Sequence, residues 1–160
     1  MPPEMPPHIE QAMFEAVSTT LENMAFMDIQ PLRVPHDCDG HARVFRASLL
    51  VKDPLQGELC LIMPEELLRE IASGIYAAPP EELPRRKLSD ILTELLNTIA
   101  GLFLSRALPA NQTFELGLPE ITEVNCREIE PTLLQWHFQA DAGHFCLSAG
   151  GDSWNQLLVP

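Results

Sequence analysis

The chain has 160 residues, enough for one domain that buries a sizeable core, and its 46% hydrophobic and 21% charged residues are those of an ordinary soluble globular protein. Its formal net charge is -13 and its longest basic cluster is Arg85-Arg86-Lys87, so a phosphate backbone would find no positive surface and nucleic-acid binding is excluded. A partner with a basic patch or an exposed lysine suits this acidic surface better, because opposite fields steer encounter.

The start, MPPEMPPHIE, lacks both the positive n-region and the apolar core of a signal peptide. No apolar run reaches the roughly 18 residues of a transmembrane helix, so no membrane association is expected. Cys38, Cys60, Cys126 and Cys146 are widely spaced and form no CxxC pair. Cys60 and Cys146 sit in apolar runs where a reduced cysteine behaves as a small hydrophobe, so a reducing, cytoplasmic setting is expected.

Residues 1–7 read as a flexible start to a single domain spanning 1–160. Pro6-Pro7 precedes a helical pattern from Ile9 to about Met24, with Ile9, Met13, Val17, Leu21 and Met24 at spacings of three and four. Pro31 and Pro35 stop any continuation. The polar loop His36-Asp37-Cys38-Asp39-Gly40-His41 follows. It packs five metal-competent residues of three kinds into six positions, but zinc sites need spaced pairs on rigid elements, and a solvated turn is the expectation. Next come two strand-like runs, ARVFRASLLV and GELCLIMP, joined by turn chemistry around Asp53-Pro54 and Gly57 as a β-hairpin. Pro64-Glu65-Glu66 opens a second helix to about Tyr76.

Ala77 to Arg86, with Pro79, Pro80 and Pro84, is an irregular connector. A long helix follows from Leu88 to Leu108 and ends at Pro109. FELGLPEI is a short extended segment. LLQWHFQA and HFCLSAG form a second hairpin across Asp141-Ala142-Gly143, which brings His137 and His144 near each other across the strands. Trp136, Phe138 and Phe145 belong to the core or to a sheet-mediated interface, and Met13, Met24, Met27 and Met63 fill core gaps. The element order indicates an α+β domain. Its two halves echo each other, each a long helix followed by extended segments and a hairpin.

The long helix, LSDILTELLNTIAGLFLSRAL, carries the chemistry. At about 100° per residue, Asp90, Glu94, Asn97 and Gly101 fall within a sector roughly 60° wide, while Ile91, Leu92, Leu95, Ile99, Leu102 and Phe103 cover most of the remainder. A helix apolar over most of its circumference packs into a core. Its polar stripe is either its solvated side or a working set. Asn97 favours the second, because mid-helix Asn has mediocre propensity and Glu or Lys would solvate the face better.

The spacing Asp90-x3-Glu94-x2-Asn97 resembles the Asp/Ser-x3-Glu-x2-Asn motif of the chemotaxis phosphatases CheC and CheX. Gly101 after the Asn, the Pro-rich connector, the flanking hairpins and LENMAFM at the end of the first helix are similar to that family too. CheC-type proteins carry the motif twice. Here the first helix offers Ser18-x3-Glu22-x2-Ala25, with alanine in the carboxamide position, which leaves a single intact copy in the CheX manner.

The resemblance implies a pseudo-duplicated CheC/CheX-like domain, an antiparallel-rich sheet with long helices packed on one side. It implies hydrolysis of the aspartyl phosphate of a CheY-like receiver domain, with Asn97 orienting water and Glu94 docking on a receiver lysine. Asp90 and Gly101 would extend the docking surface. It implies no cofactor of the chain's own, Mg2+ arriving with the receiver, and a homodimer formed through the β-sheet. The alternative is a non-catalytic dimeric module that holds a receiver with the same helix face. No Gly-rich phosphate loop and no GxSxG nucleophile elbow occur.

Overall fold

A computed structural model describes residues 5–32, 43–53, 56–125, 134–141, 143–151 and 154. Helix α1, Pro7–Ala25, opens with proline at its first position, where the missing N–H is not needed. It buries Ile9, Met13, Val17 and Leu21, the predicted face, with Ala12, Ala16 and Thr20 beside them. The Thr20 hydroxyl donates to the Ala16 carbonyl, so this buried polar group is satisfied within the helix.

Strand β1, Ile29–Leu32, comes next, and the sequence pattern offers no strand there because of Pro31. The chain tolerates that proline because β1 is an edge strand paired with one neighbour only. Strands β2, Arg43–Asp53, and β3, Gly57–Pro64, form the predicted hairpin, followed by α2, Glu65–Tyr76. The connector contains a 3-10 turn at Pro80–Glu82.

Helix α3, Arg85–Ala107, starts three residues earlier than the apolar pattern suggests, because Pro84 already sits in the extended N-cap conformation. Strands β4, Glu115–Leu116, and β5, Glu120–Asn125, follow, then the hairpin β6, Leu134–Ala140, and β7, Gly143–Gly150.

All pairings are antiparallel and run β1-β6-β7-β3-β2, with both β4 and β5 on the outer side of β2. This order makes the internal duplication physical. Each half is a helix, a leading strand and a hairpin. The leading strand β1 pairs with β6 of the other half's hairpin, and β5 pairs with β2 in the same way. The second hairpin strands, β3 and β7, meet at the centre. Neither half could complete its sheet alone.

Alternation along the strands puts one face against the helices: Phe45, Ala47 and Leu49 of β2, Leu59, Leu61 and Met63 of β3, and Trp136, Phe138, Phe145 and Leu147 of the second hairpin. Phe103 of α3 meets the Trp136 ring edge-on at 5.6 Å between centroids. Trp136, Phe138 and Phe145 are thus core residues. Met13 and Met63 are fully buried, while Met24 and Met27 pack against the core from its rim.

Helix α3 has the length and apolarity of a membrane-crossing helix, which the sequence pattern does not suggest. Half of that stretch is buried inside the fold, so core packing accounts for its apolarity. Helices α1 and α3 lie side by side and antiparallel: the Glu15 carboxylate takes the Arg106 guanidinium near the C-terminal end of α3. At the other end the Ala25 carbonyl approaches α2 near Gly74, and Lys87 covers Tyr76.

Candidate functional site

The stripe on α3 stands out on the folded surface. Leu88, Ile91, Leu92, Leu95, Leu96, Ile99, Ala100, Phe103 and Leu104 are buried, all at 5% exposure or less. Asp90, Glu94 and Asn97 are exposed and Gly101 is half-exposed, one residue per turn along the open side. A helix held on its other faces by the sheet, α1 and α2 fixes its Cβ vectors, so the three side chains project from a stiff platform.

The ion pairs among the described residues lie away from this stripe. Arg43 and Arg85 converge on Glu123 at 3.2 and 2.6 Å, and Arg85 also reaches Glu65 at 3.6 Å. Arg46 pairs with Glu58 at 2.7 Å, Arg69 with Glu65 at 3.8 Å, and Arg106 with Glu15. The hydrogen bond from the Gln11 side chain, and then Arg106, hold the Glu15 carboxyl below the usual carboxylate range. Among the described residues, no ion pair or side-chain hydrogen bond engages Asp90, Glu94 or Asn97. Two carboxylates and a carboxamide thus stand with their bonding capacity unused, in line on one helix.

Gly101 adds a separate observation. A Cβ built there would meet nothing within 4 Å, so no neighbour among the described residues requires glycine. A mid-helix glycine costs about 0.8–1.0 kcal/mol relative to alanine. An approach from outside the chain is the remaining steric reason for it. The Ser105 hydroxyl donates to the Gly101 carbonyl at 2.8 Å, which leaves the open side of the turn clear.

On α1, the neighbouring helix of the same layer, Ser18, Glu22 and Ala25 repeat the spacing of Asp90, Glu94 and Asn97. Glu22 is exposed, Ser18 is half-buried, and Ala25 packs against the core rim where a carboxamide would have to stand. The two sets therefore lie on helices packed side by side, and alanine stands in the first where Asn97 stands in the second.

Other candidates come out differently. His137 and His144 do meet across β6 and β7, stacked within 6°, with Nδ1 of one 3.1 Å from Nε2 of the other. Among the described residues no three His, Cys, Asp or Glu side chains converge as metal ligands. The His36–His41 loop lies outside the described residues. Cys60 and Cys146 lie on the sheet face away from the helices. Burial pushes the Cys60 thiol up to about 12, with the hydrogen bond to Glu58 adding to it and Arg46 opposing it. Burial alone brings Cys146 to about 12. Both are protonated at neutral pH and unsuited to nucleophilic work. A shallow depression between α2 and the 3-10 turn is lined by Glu66, Glu70 and Glu81, and its Arg69 is committed to the carbonyls of Pro80 and Leu83 at 2.9 Å.

The folded surface also presents aromatic residues to which the sequence reading gives no role. Phe26, just past α1, is 91% exposed, and Tyr76, the last residue of α2, is 37% exposed. The helix ends at Ala25, close to the expected end at about Met24, and leaves Phe26 as its C-cap.

Comparison with known proteins bears on the whole arrangement. The sequence model of the chemotaxis phosphatase CheX family matches residues 47–135, more than half of the chain, including all of α3. No curated protein sequence matches. Among solved structures, the chemotaxis protein CheX from Vibrio vulnificus superimposes with a TM-score of 0.71 at 15% identity, over 89% of this chain and 95% of that one. A CheC-like superfamily protein from Shewanella sp. PV-4 gives 0.69 at 17% identity, over 92% and 100%. The CheX of Borrelia burgdorferi, solved as a CheX–CheY–BeF3–Mg2+ complex, gives 0.64 at 16% identity, over 88% and 97%. At these identities the likeness is one of fold, the expected α+β domain with helices on one side of an antiparallel sheet.

Proposed function

Because the chain belongs to the CheX chemotaxis phosphatase family, we propose that it hydrolyses the aspartyl phosphate of a CheY-like receiver domain, with Asn97 orienting the attacking water and Glu94 docking on a receiver lysine. The observation that carries this reading is the unpaired Asp90–Glu94–Asn97 set on the open side of a core helix. The relative solved together with CheY supports the class of partner.

The chemistry fits these residue types. An acyl phosphate already holds a good leaving group, the aspartate carboxylate. Water attacks phosphorus opposite that oxygen, the P–O bond to the aspartate breaks, and inorganic phosphate leaves with the water's oxygen. The phosphatase has to place water in line and hold it, a positioning contribution. A carboxamide accepts one hydrogen from that water and donates to a phosphoryl oxygen, adding no charge beside a developing dianion. Glu94, one turn before Asn97, meets a lysine ammonium and sets the register. Asp90 continues the acidic surface, and Gly101 lets the receiver backbone come close. Mg2+ belongs to the receiver in this reading and neutralises phosphoryl charge there; the chain needs no cofactor of its own. A homodimer through the β-sheet, whose edges are β1 and the β4/β5 strands, and a cytoplasmic setting complete the proposal.

Decay of a phosphorylated receiver, followed with and without the protein, tests it. The parent is expected to accelerate decay, and Asn97→Ala to lose about 100-fold of that acceleration with receiver binding kept. Glu94→Lys is expected to lose binding instead. An Asn97→Ala variant as active as the parent defeats the mechanism. Complex formation with unchanged phosphate lifetime points to a holding module.

A further inference from the structure

Phe26 combines two features that a solvated loop residue has no use for. Its ring is 91% exposed. Its backbone is left-handed, φ 53° and ψ 38°, at the C-terminal cap of α1. Its N–H donates to the Glu22 carbonyl and that of Met27 to the Leu21 carbonyl, both at 3.2 Å. This helix closure is one that glycine or asparagine makes at least cost. A bulky aromatic there gains no internal packing in return for the strain, so a contact outside the chain is the reason to look for.

The position of Phe26 identifies what it would meet. The Ala25 carbonyl lies 4.0 Å from a Cβ built on Gly74, two residues before Tyr76. The Tyr76 ring in turn lies 4.7 Å under the Lys87 ammonium, in the first turn of α3. The C-terminus of α1, that of α2 and the N-terminus of α3 therefore gather at one end of the helical layer. Asp90 begins the polar stripe at this end. Neither α1 nor α2 has a basic residue in its last turn, so the carbonyl ends of both helices add negative potential to that of Asp90 and Glu94. Glu22 and Asp28 stand exposed on either side of Phe26 in the chain and give it an acidic border, while Arg85, Arg86 and Lys87 bring positive charge at the first turn of α3.

We propose that Phe26 is an apolar anchor that seats the receiver domain against the Asp90 end of the α3 stripe. Its counterpart on the receiver is an apolar depression rimmed by basic groups. This rests on the receiver reading above and adds to it a positioning residue on a different helix. A large aromatic buried within a charged rim is the usual composition of a binding hot spot. Phe26 takes no part in the chemistry, so its loss acts on affinity and not on the rate of the bound complex.

The test titrates the full-length protein with CheY-like receivers of its source organism, each activated by beryllofluoride and Mg2+. It also measures phosphate decay at limiting and at saturating receiver. Phe26→Asn suits the left-handed backbone, so thermal stability is expected to hold or rise. Receiver Kd is expected to rise at least tenfold with the rate at saturation unchanged, and Phe26→Trp is expected to restore binding. If asparagine disturbs the helix end, Phe26→Gly gives the same readout. Parent-like affinity in both variants overturns the anchor and leaves the receiver reading intact. A shift of the free protein's sedimentation in Phe26→Asn also overturns it, assigning the ring to a contact between copies. Failure of the parent to bind any receiver removes both readings together.

Discussion

At the scale of single residues, charge and burial assign different roles to groups of similar chemical promise. Asn97 and its two carboxylates stand in solvent with no internal partner among the described residues, ready for an external one. The two described thiols sit in the opposite condition. Burial raises both Cys60 and Cys146 to about 12, so the folded state retains protons that the unfolded chain releases near 9. The contribution of each thiol to stability is therefore complete below pH 9 and declines as pH rises toward about 12. Iodoacetamide at pH 8 is accordingly expected to leave both unmodified in the native protein and to modify both in urea, as read by peptide mapping. Rapid native labelling of Cys60 would show that its Arg46 neighbour outweighs burial. The narrow polar stripe was legible at this scale from spacing alone, because helical periodicity converts sequence position directly into direction. The unpaired state of its carboxylates was not, since it depends on where Arg43, Arg85 and Arg106 find their partners.

Among the elements, α3 carries two loads at once, and Gly101 shows the conflict between them. As a core helix it would be better with alanine, since an added Cβ meets no described residue within 4 Å. Gly101→Ala is therefore expected to raise the unfolding free energy by about 0.8 kcal/mol, measured as a higher urea midpoint at unchanged slope. The same methyl group is expected to weaken receiver binding severalfold, in a titration run beside the unfolding curve. A variant that is more stable and binds equally well would remove the external reason for the glycine. Helices and hairpins were readable in advance because apolar spacing and turn residues act over a few positions. Strand β1 was not readable, because Pro31 argues against a strand unless its N–H side faces no neighbour. That condition belongs to the edge of a sheet assembled from distant segments.

For the molecule as a whole, the echo between the halves was visible in element order, but the exchange of leading strands was not. Pairing β1 with β6 and β5 with β2 joins residues about a hundred and about eighty positions apart, and no local pattern records that. The same arrangement sets α1 and α3 side by side on one face of the sheet, Ser18, Glu22 and Ala25 on one helix and Asp90, Glu94 and Asn97 on the other. The global charge acts on the same face. With a net charge of -13 and most described arginines already paired, Asp90, Glu94 and Glu22 are among the exposed carboxylates left unneutralised. Their field speeds encounter with a basic surface, and salt screens it over about 10 Å at 0.1 M. Association of the parent with its receiver is expected to slow about tenfold between 0.02 and 0.5 M NaCl, while dissociation changes little. Stopped-flow mixing at several salt concentrations measures both. Asn97→Ala, which changes no charge, should keep the full salt slope, and Glu94→Gln should flatten it. A salt slope that Glu94→Gln leaves intact would place the steering charge elsewhere on the chain and separate encounter from the α3 stripe.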